Sequence, residues 1–209
     1  NKDGGYFSSH WSVYKAQEQL LQVAEKHGIS LRFFHGRGGN IGRGGGPTQR
    51  AIKALPPGSC QAGQDMTEQG EVLSRYYNVK DIAAAHLENM FSSMIQKNSQ
   101  SDVVPEAQWK TVAQAISNYS LKKYGELVHQ NPAFVDYFEC VTPREVELIQ
   151  IGSRPQRRRQ MQTVKDLRAI PWVFRWFQSR QIIPGWYGLG SGLQGFIDEN
   201  PEEHLTLLK

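Results

Sequence analysis

The segment His35-Gly36-Arg37-Gly38-Gly39-Asn40-Ile41-Gly42-Arg43-Gly44-Gly45-Gly46 holds the residues best suited to chemistry. Glycines let backbone N–H groups come close to a ligand, and two arginines in such a stretch offer planar forks for phosphate or carboxylate. The natural reading is an anion site. No Gly-Lys-Ser or Gly-Lys-Thr follows, and the glycine spacing does not fit G-x-G-x-x-G, so a nucleotide loop is disfavoured. Two rival readings stay open: a glycine-rich surface loop with solvated arginines, and a non-catalytic polyanion or RNA-binding module whose RGG-type unit matches Arg37-Gly38-Gly39 and Arg43-Gly44-Gly45. The RGG reading suits a disordered tract, whereas this loop lies between a strand candidate and a proline-started helix.

A second basic cluster runs Gly152-Ser153-Arg154-Pro155-Gln156-Arg157-Arg158-Arg159, and Arg168 follows in Leu167-Arg168-Ala169-Ile170-Pro171-Trp172. Such closely spaced arginines repel one another unless anions or carboxylates neutralise them. Composition alone leaves a solvated charge run, a nuclear-localisation patch and a substrate site open. For His35 by itself, a hydrogen-bonded structural histidine is as good a reading as a functional one.

The elements that must position these residues follow from periodicity. Val13, Ala16, Leu20, Val23 and Ala24 recur at helical spacing, and His27-Gly28 ends the segment as a C-cap would. Ile29 to Phe34 reads as a buried strand running into the glycine loop. Pro47 opens a short helix over Thr48 to Leu55, which Pro56-Pro57-Gly58 breaks. Helix, strand, glycine loop and helix make the rhythm of an α/β unit.

Beyond a turn-rich stretch at 56–65, Ala83, Leu87, Met90, Phe91 and Met94 mark a second long helix; Trp109, Val112, Ile116 and Tyr119 mark a third, with the connection between Asn98 and Pro105. Phe134 to Phe138 reads as a short helix and Val146 to Ile151 as a helix end or strand. Leu167 to Phe177 is apolar and aromatic despite Pro171, and a glycine-rich stretch runs from Pro184 to Gly195. The polar, like-charged Arg157 to Thr163 segment reads as an exposed mobile loop.

Composition bounds the class. With 209 residues, one compact core is expected. The net charge of +4 comes from 24 basic and 20 acidic residues rather than a basic tail, which suits an anionic small molecule as well as nucleic acid. Cys60 and Cys140 stand apart, without the spacing of a disulfide framework or zinc site, so a reducing cytoplasm is the default. No apolar run approaches a membrane span. Both ends, Asn1 and Lys209, read as cuts in a longer chain.

Several blocks in one order resemble phosphoenolpyruvate carboxylase: Asn1-Lys2-Asp3-Gly4-Gly5 with Trp11 and Tyr14-Lys15-Ala16-Gln17, then Phe34-His35-Gly36-Arg37-Gly38-Gly39 with Gly42 to Pro47, and Thr67-Glu68-Gln69-Gly70-Glu71. Ile151-Gly152-Ser153-Arg154-Pro155 and Leu167 to Trp172 continue the match over essentially the whole chain, residues 1–209. The resemblance implies a helix-dominated α/β fold, part of a (β/α)8 TIM-type barrel with additional helices. It also implies a cytoplasmic homotetrameric lyase that joins bicarbonate to phosphoenolpyruvate, using Mg2+ or Mn2+, with no nucleic-acid or membrane partner.

By the same resemblance, His35, Arg37 and Arg43 are catalytic. Arg37 is expected at the phosphate or carboxyphosphate, and Arg43 matches a mobile-loop arginine tied also to an acidic feedback inhibitor. Arg154 and Arg168 match arginines facing substrate, and Lys2 matches a lysine near the metal region. The family's metal-ligating carboxylates and catalytic histidine belong to segments outside this chain, so no metal ligand is assigned here and the isolated chain is expected to be inactive. The sequence departs from the family where Arg157-Arg158-Arg159 leads into Gln160-Met161-Gln162-Thr163 without the usual glycine pair, which implies a stiffer loop or altered closure.

Overall fold

A computed structural model describes residues 1–39, 45–99, 106–149, 161–181 and 183–202. The chain divides into two compact units, one of residues 1–11 with 106–209 and the other of residues 12–105. Among the described residues no helix is long and apolar enough to cross a membrane.

The second unit contains most of helix α1 (Tyr6–Lys26), which ends as its sequence predicts. Gly28 adopts a left-handed φ of 63°, its N–H donates to Glu25 O, and the Ile29 N–H donates to Ala24 O. This is a Schellman stop, which satisfies carbonyls that the helix end would orphan. Strand β1 (Phe33–Arg37) follows, then helix α2 (Thr48–Lys53), strand β2 (Gln64–Glu68), helix α3 (Gly70–Tyr76) and helix α4 (Lys80–Ser99). The strands are parallel, with Phe33 opposite Gln64 and Arg37 opposite Glu68. The helix-dominated α/β character is therefore observed, with one parallel pair.

Two expectations shift here. The strand lies later than Ile29–Phe34, so His35, Gly36 and Arg37 belong to it rather than to the glycine loop. The stretch at 56–65, read as turns, ends in the start of β2. Along β1, Phe33, His35 and Arg37 are the more covered residues, and Phe34 and Gly36 are exposed, Phe34 at 70%. The same alternation in β2 exposes Asp65 and Thr67. The helices announced by apolar periodicity are present, yet Leu20, Val23, Leu87 and Phe91 are exposed.

In the other unit, helices α5 (Ala107–Val128), α6 (Phe134–Val141), α7 (Ala169–Gln178) and α8 (Ile183–Trp186) contribute to an aromatic core, and α9 (Leu189–Glu199) packs against α5. Tyr124, Phe134, Phe138, Trp172 and Trp176 are buried together. The two tryptophans, four residues apart on one face of α7, meet edge to face with centroids 5.6 Å apart. Pro171 does not interrupt α7 because it falls in the first turn, where its missing N–H has no partner to lose. Residues 144–148 form a 3-10 turn, resolving part of the helix-or-strand alternative; residues 150–160 lie outside the described residues.

The glycine-rich stretch to Gly195 is largely helical and packs against α5. A Cβ on Gly192 would collide with Ser120 Oγ and come within 2.7 Å of Ile116 O, and one on Gly195 would come within 2.8 Å of the Tyr119 ring. Glycine is used here for backbone approach rather than for turning. Gly188, at the start of α9, combines both needs, with φ of 91° and Ser120 O at 2.7 Å from an added Cβ.

Candidate anion-binding site

Strand β1 delivers Arg37 to its carboxyl end, the side on which parallel α/β folds place ligands. The arginine is 7% exposed, and its Nη2 donates to Gly46 O at 3.0 Å, tying the far side of the glycine loop back to the strand. Gly46 itself has φ of 131°, a conformation that a side chain would strain. His35 lies two residues earlier and so on the same face of the strand. Burial, and secondarily the Arg37 charge, hold its pKa below the ordinary value of 6.5. The imidazole is accordingly neutral at neutral pH and acts as a hydrogen-bonding group rather than a cation.

The neighbouring strand supplies groups to which sequence reasoning gave no role. Glu68, the register partner of Arg37, lies 3.3 Å from His86 Nε2 on α4, both side chains being largely covered. The His86 ring stacks on Tyr76 with centroids 4.4 Å apart. Burial and a hydrogen bond donated to Glu68 push the Tyr77 hydroxyl up to about 12. Three residues beyond Glu68, the Glu71 carboxylate lies against the backbone of Gly39, where any Cβ would collide with it. The Thr67-Glu68-Gln69-Gly70-Glu71 block thus meets the His35–Gly39 block. The signal in sequence was only their co-occurrence, since parallel pairing across an α2 crossover has no local signature.

In the other unit, Lys2 and Arg168 flank the Val164–Leu167 segment. Lys2 Nζ donates to Val164 O at 3.1 Å and pairs with Asp3 at 3.2 Å, and Tyr124 Oη donates to Lys2 O at 2.8 Å. Burial, with a smaller part from Asp3, raises the Tyr124 pKa, so that hydroxyl stays a donor. Asp166 accepts from the Gln162 and Thr163 N–H groups and fixes the turn that leads to Arg168. Arg168 occupies the N-cap of α7, its carbonyl accepting from Trp172 N. Its Nε is buried with no hydrogen-bond partner among the described residues. A buried guanidinium nitrogen left so, at a helix N-terminus, suits an arriving anion.

The site residues expected from sequence thus fall as His35 with Arg37 in one unit and Lys2 with Arg168 in the other. Arg43, Arg154 and residues 157–160 of the expected mobile loop lie outside the described residues.

The model of the phosphoenolpyruvate carboxylase family matches residues 1–209. The chain is 44% identical over 211 residues to a phosphoenolpyruvate carboxylase of Thermosynechococcus vestitus, covering 100% of this chain and 21% of that protein. The one from Nostoc sp. is 44% identical over 215 residues, again covering 100% and 21%. The one from Corynebacterium glutamicum is 44% identical over 205 residues, covering 97% of this chain and 22% of that protein. The chain spans about a fifth of the length of these relatives. Matched by the family model over residues 1–209 and 44% identical to relatives of that name, this chain belongs to the phosphoenolpyruvate carboxylase family.

Proposed function

We propose that the protein carrying this chain is a phosphoenolpyruvate carboxylase, which joins bicarbonate to phosphoenolpyruvate to give oxaloacetate and phosphate, and that this segment forms a cationic wall of its site. The observation that carries the reading is the family match over residues 1–209. The buried position of Arg37 at the end of a parallel strand supports it. So does the exposed outer face of the β1–β2 pair, because parallel sheets are normally covered on both faces. A pair of this kind fits a segment of a larger (β/α)8 barrel with additional helices.

Substrate, co-substrate and products are all anions, so fixed cations favour both binding and charge redistribution in the transition state. Arg37 and Arg168 hold phosphoryl oxygens, Arg154 adds to the substrate contacts, and Arg43 acts from the glycine loop. Neutral His35 donates or accepts a hydrogen bond beside them, and Lys2 contributes positive charge.

The divalent ion that the family uses, Mg2+ or Mn2+, needs oxygen ligands. Among the described residues no group of three or more His, Cys, Asp or Glu could hold a metal ion. On this reading its ligands belong to other parts of the protein. A cytoplasmic homotetramer goes with the same reading.

The test follows oxaloacetate formation from phosphoenolpyruvate and bicarbonate. The complete protein should turn over, Arg37→Ala and Arg168→Ala should each abolish most of the rate, and the 209-residue chain alone should give none. Inactivity of the complete protein, or full activity of Arg37→Ala, would refute the reading.

A further inference from the structure

The family reading leaves one block of sequence without a task, the Thr67-Glu68-Gln69-Gly70-Glu71 turn between β2 and α3. We infer that Glu71 is a positioning residue that braces the glycine loop at Gly39 and thereby sets the placement of Arg37 for its anionic substrate. The inference rests on the proposed carboxylase reading for the identity of that substrate, while the contact itself is independent of it.

Three observations carry it. First, the carboxylate and Cγ of Glu71 occupy the space above the Gly39 α-carbon, so that an added Cβ would have three Glu71 atoms within 2.7 Å. Gly39 has no positive φ to explain its residue type. Space is therefore the reason for a glycine at this position. Second, the base of the brace is fixed. Glu68 is the register partner of Arg37 and is held by His86, whose ring is stacked on Tyr76, and by the Tyr77 hydroxyl. Glu71 thus projects from a short helix whose starting point is anchored beside the arginine. Third, Gly39 is only two residues beyond Arg37, and Arg37 Nη2 reaches across the loop to Gly46 O. A shift of the backbone at Gly39 is transmitted directly to the arginine that closes the loop.

The Glu71 carboxylate is the far end of a flexible side chain, so a methyl group at position 39 displaces it rather than unfolding the strand pair. Gly39→Ala and Glu71→Ala should therefore break the same contact. In the complete protein each should raise the KM for phosphoenolpyruvate about tenfold, because misplacing a binding group by a fraction of an ångström is felt at that scale. kcat should fall by less than about threefold, since the loss is in substrate binding. The double variant should match either single one to within about twofold, which is the mark of a shared contact. Glu71→Gln, which keeps the shape and one acceptor oxygen, should restore the KM to within about twofold of the parent. A merely structural role would lower the active fraction, and with it kcat, without moving KM.

Limited trypsin digestion of the complete protein reads the same brace without the reaction. Cleavage after Arg37 should be faster in both single variants at unchanged melting temperature. Multiplying KM effects in the double variant, or a Gly39→Ala protein identical to the parent in KM and cleavage, would overturn the inference. Absence of oxaloacetate formation by the parent protein would instead sink the carboxylase reading, and the digestion arm would still decide the brace.

Discussion

The guanidinium carbon of Arg175 lies 4.2 Å from the centre of the Phe138 ring, one turn of buried chemistry in the middle of an aromatic core. The same guanidinium, wholly buried, donates to Glu139 and Glu147 from Nη1 and to Thr142 through Nε and Nη2. It fastens α6, the 144–148 turn and α7 to one another. Arg175→Ala removes this wholly buried cation from Glu139 and Glu147, although Glu139 keeps Arg144 at 2.8 Å, and should destabilise the protein by about 3–5 kcal/mol. Adding Glu139→Gln and Glu147→Gln should recover much of the loss. Chemical denaturation of the complete protein measures both, and equal stability of Arg175→Ala and the parent would contradict the account.

Gly192 and Gly190, on the same helix, make a matched pair. Gly192→Ala pushes a methyl into Ser120 Oγ and the Ile116 carbonyl, and should cost about 1–3 kcal/mol by overpacking. Nothing lies within 4 Å of a Cβ on Gly190, so Gly190→Ala should stabilise by about 0.4–1 kcal/mol through the loss of unfolded-state freedom. Melting curves of the two variants should move in opposite directions.

His35 offers a pH test. Its native pKa lies below the ordinary 6.5, through burial first and the Arg37 charge second. The unfolded chain therefore binds the proton more readily, and the stability linked to this group is complete above the ordinary value and is lost as pH falls through it toward the native one. Arg37→Gln removes the second cause but not the first, so the His35 ring resonances should titrate at a higher pH than in the parent, still below the ordinary value. A downward move would show that the assigned cause is wrong.

On the proposed carboxylase reading, Arg37→Lys should not support carboxylation by the complete protein. A lysine keeps the charge but loses the fork that can serve Gly46 O and a phosphoryl oxygen together. A fall of about a hundredfold or more in kcat/KM is expected for loss of such a directed donor. Steady-state rates near those of the parent would mean that charge alone suffices.

Local signals were the legible part of this fold. The Gly28 stop and the Pro47 start each depend on a few adjacent residues, and each is where the sequence put it. What could not be read was pairing at a distance. Gln64-Asp65-Met66-Thr67-Glu68 has one apolar residue in five, and it becomes a strand because β1 lies beside it. The glycine-rich stretch to Gly195 carried no helix signal because helix propensity counts against glycine, whereas close packing of Gly192 and Gly195 on α5 outweighs it. At the candidate site, Arg37 and His35 were singled out from residue type and motif. Glu68, Glu71 and His86 were not, since their roles come from register and contact. Apolar periodicity found α1 and α4 but could not say that Leu20 and Phe91 would lie exposed in a chain spanning about a fifth of its relatives.

The pleat of β1 also has a consequence for which kinds of inherited change this segment can accept. Its side chains alternate between a covered face, with His35 and Arg37, and an open one, with Phe34 and Gly36. Insertion or deletion of a single codon between Phe33 and Gly36 would transfer Arg37 to the open face and bring a neighbour into its place. Point substitutions in the strand can be graded in effect, but changes of length cannot. Among functional members of the family, the spacing from the start of this strand to its arginine should therefore be fixed even where the residues between are not.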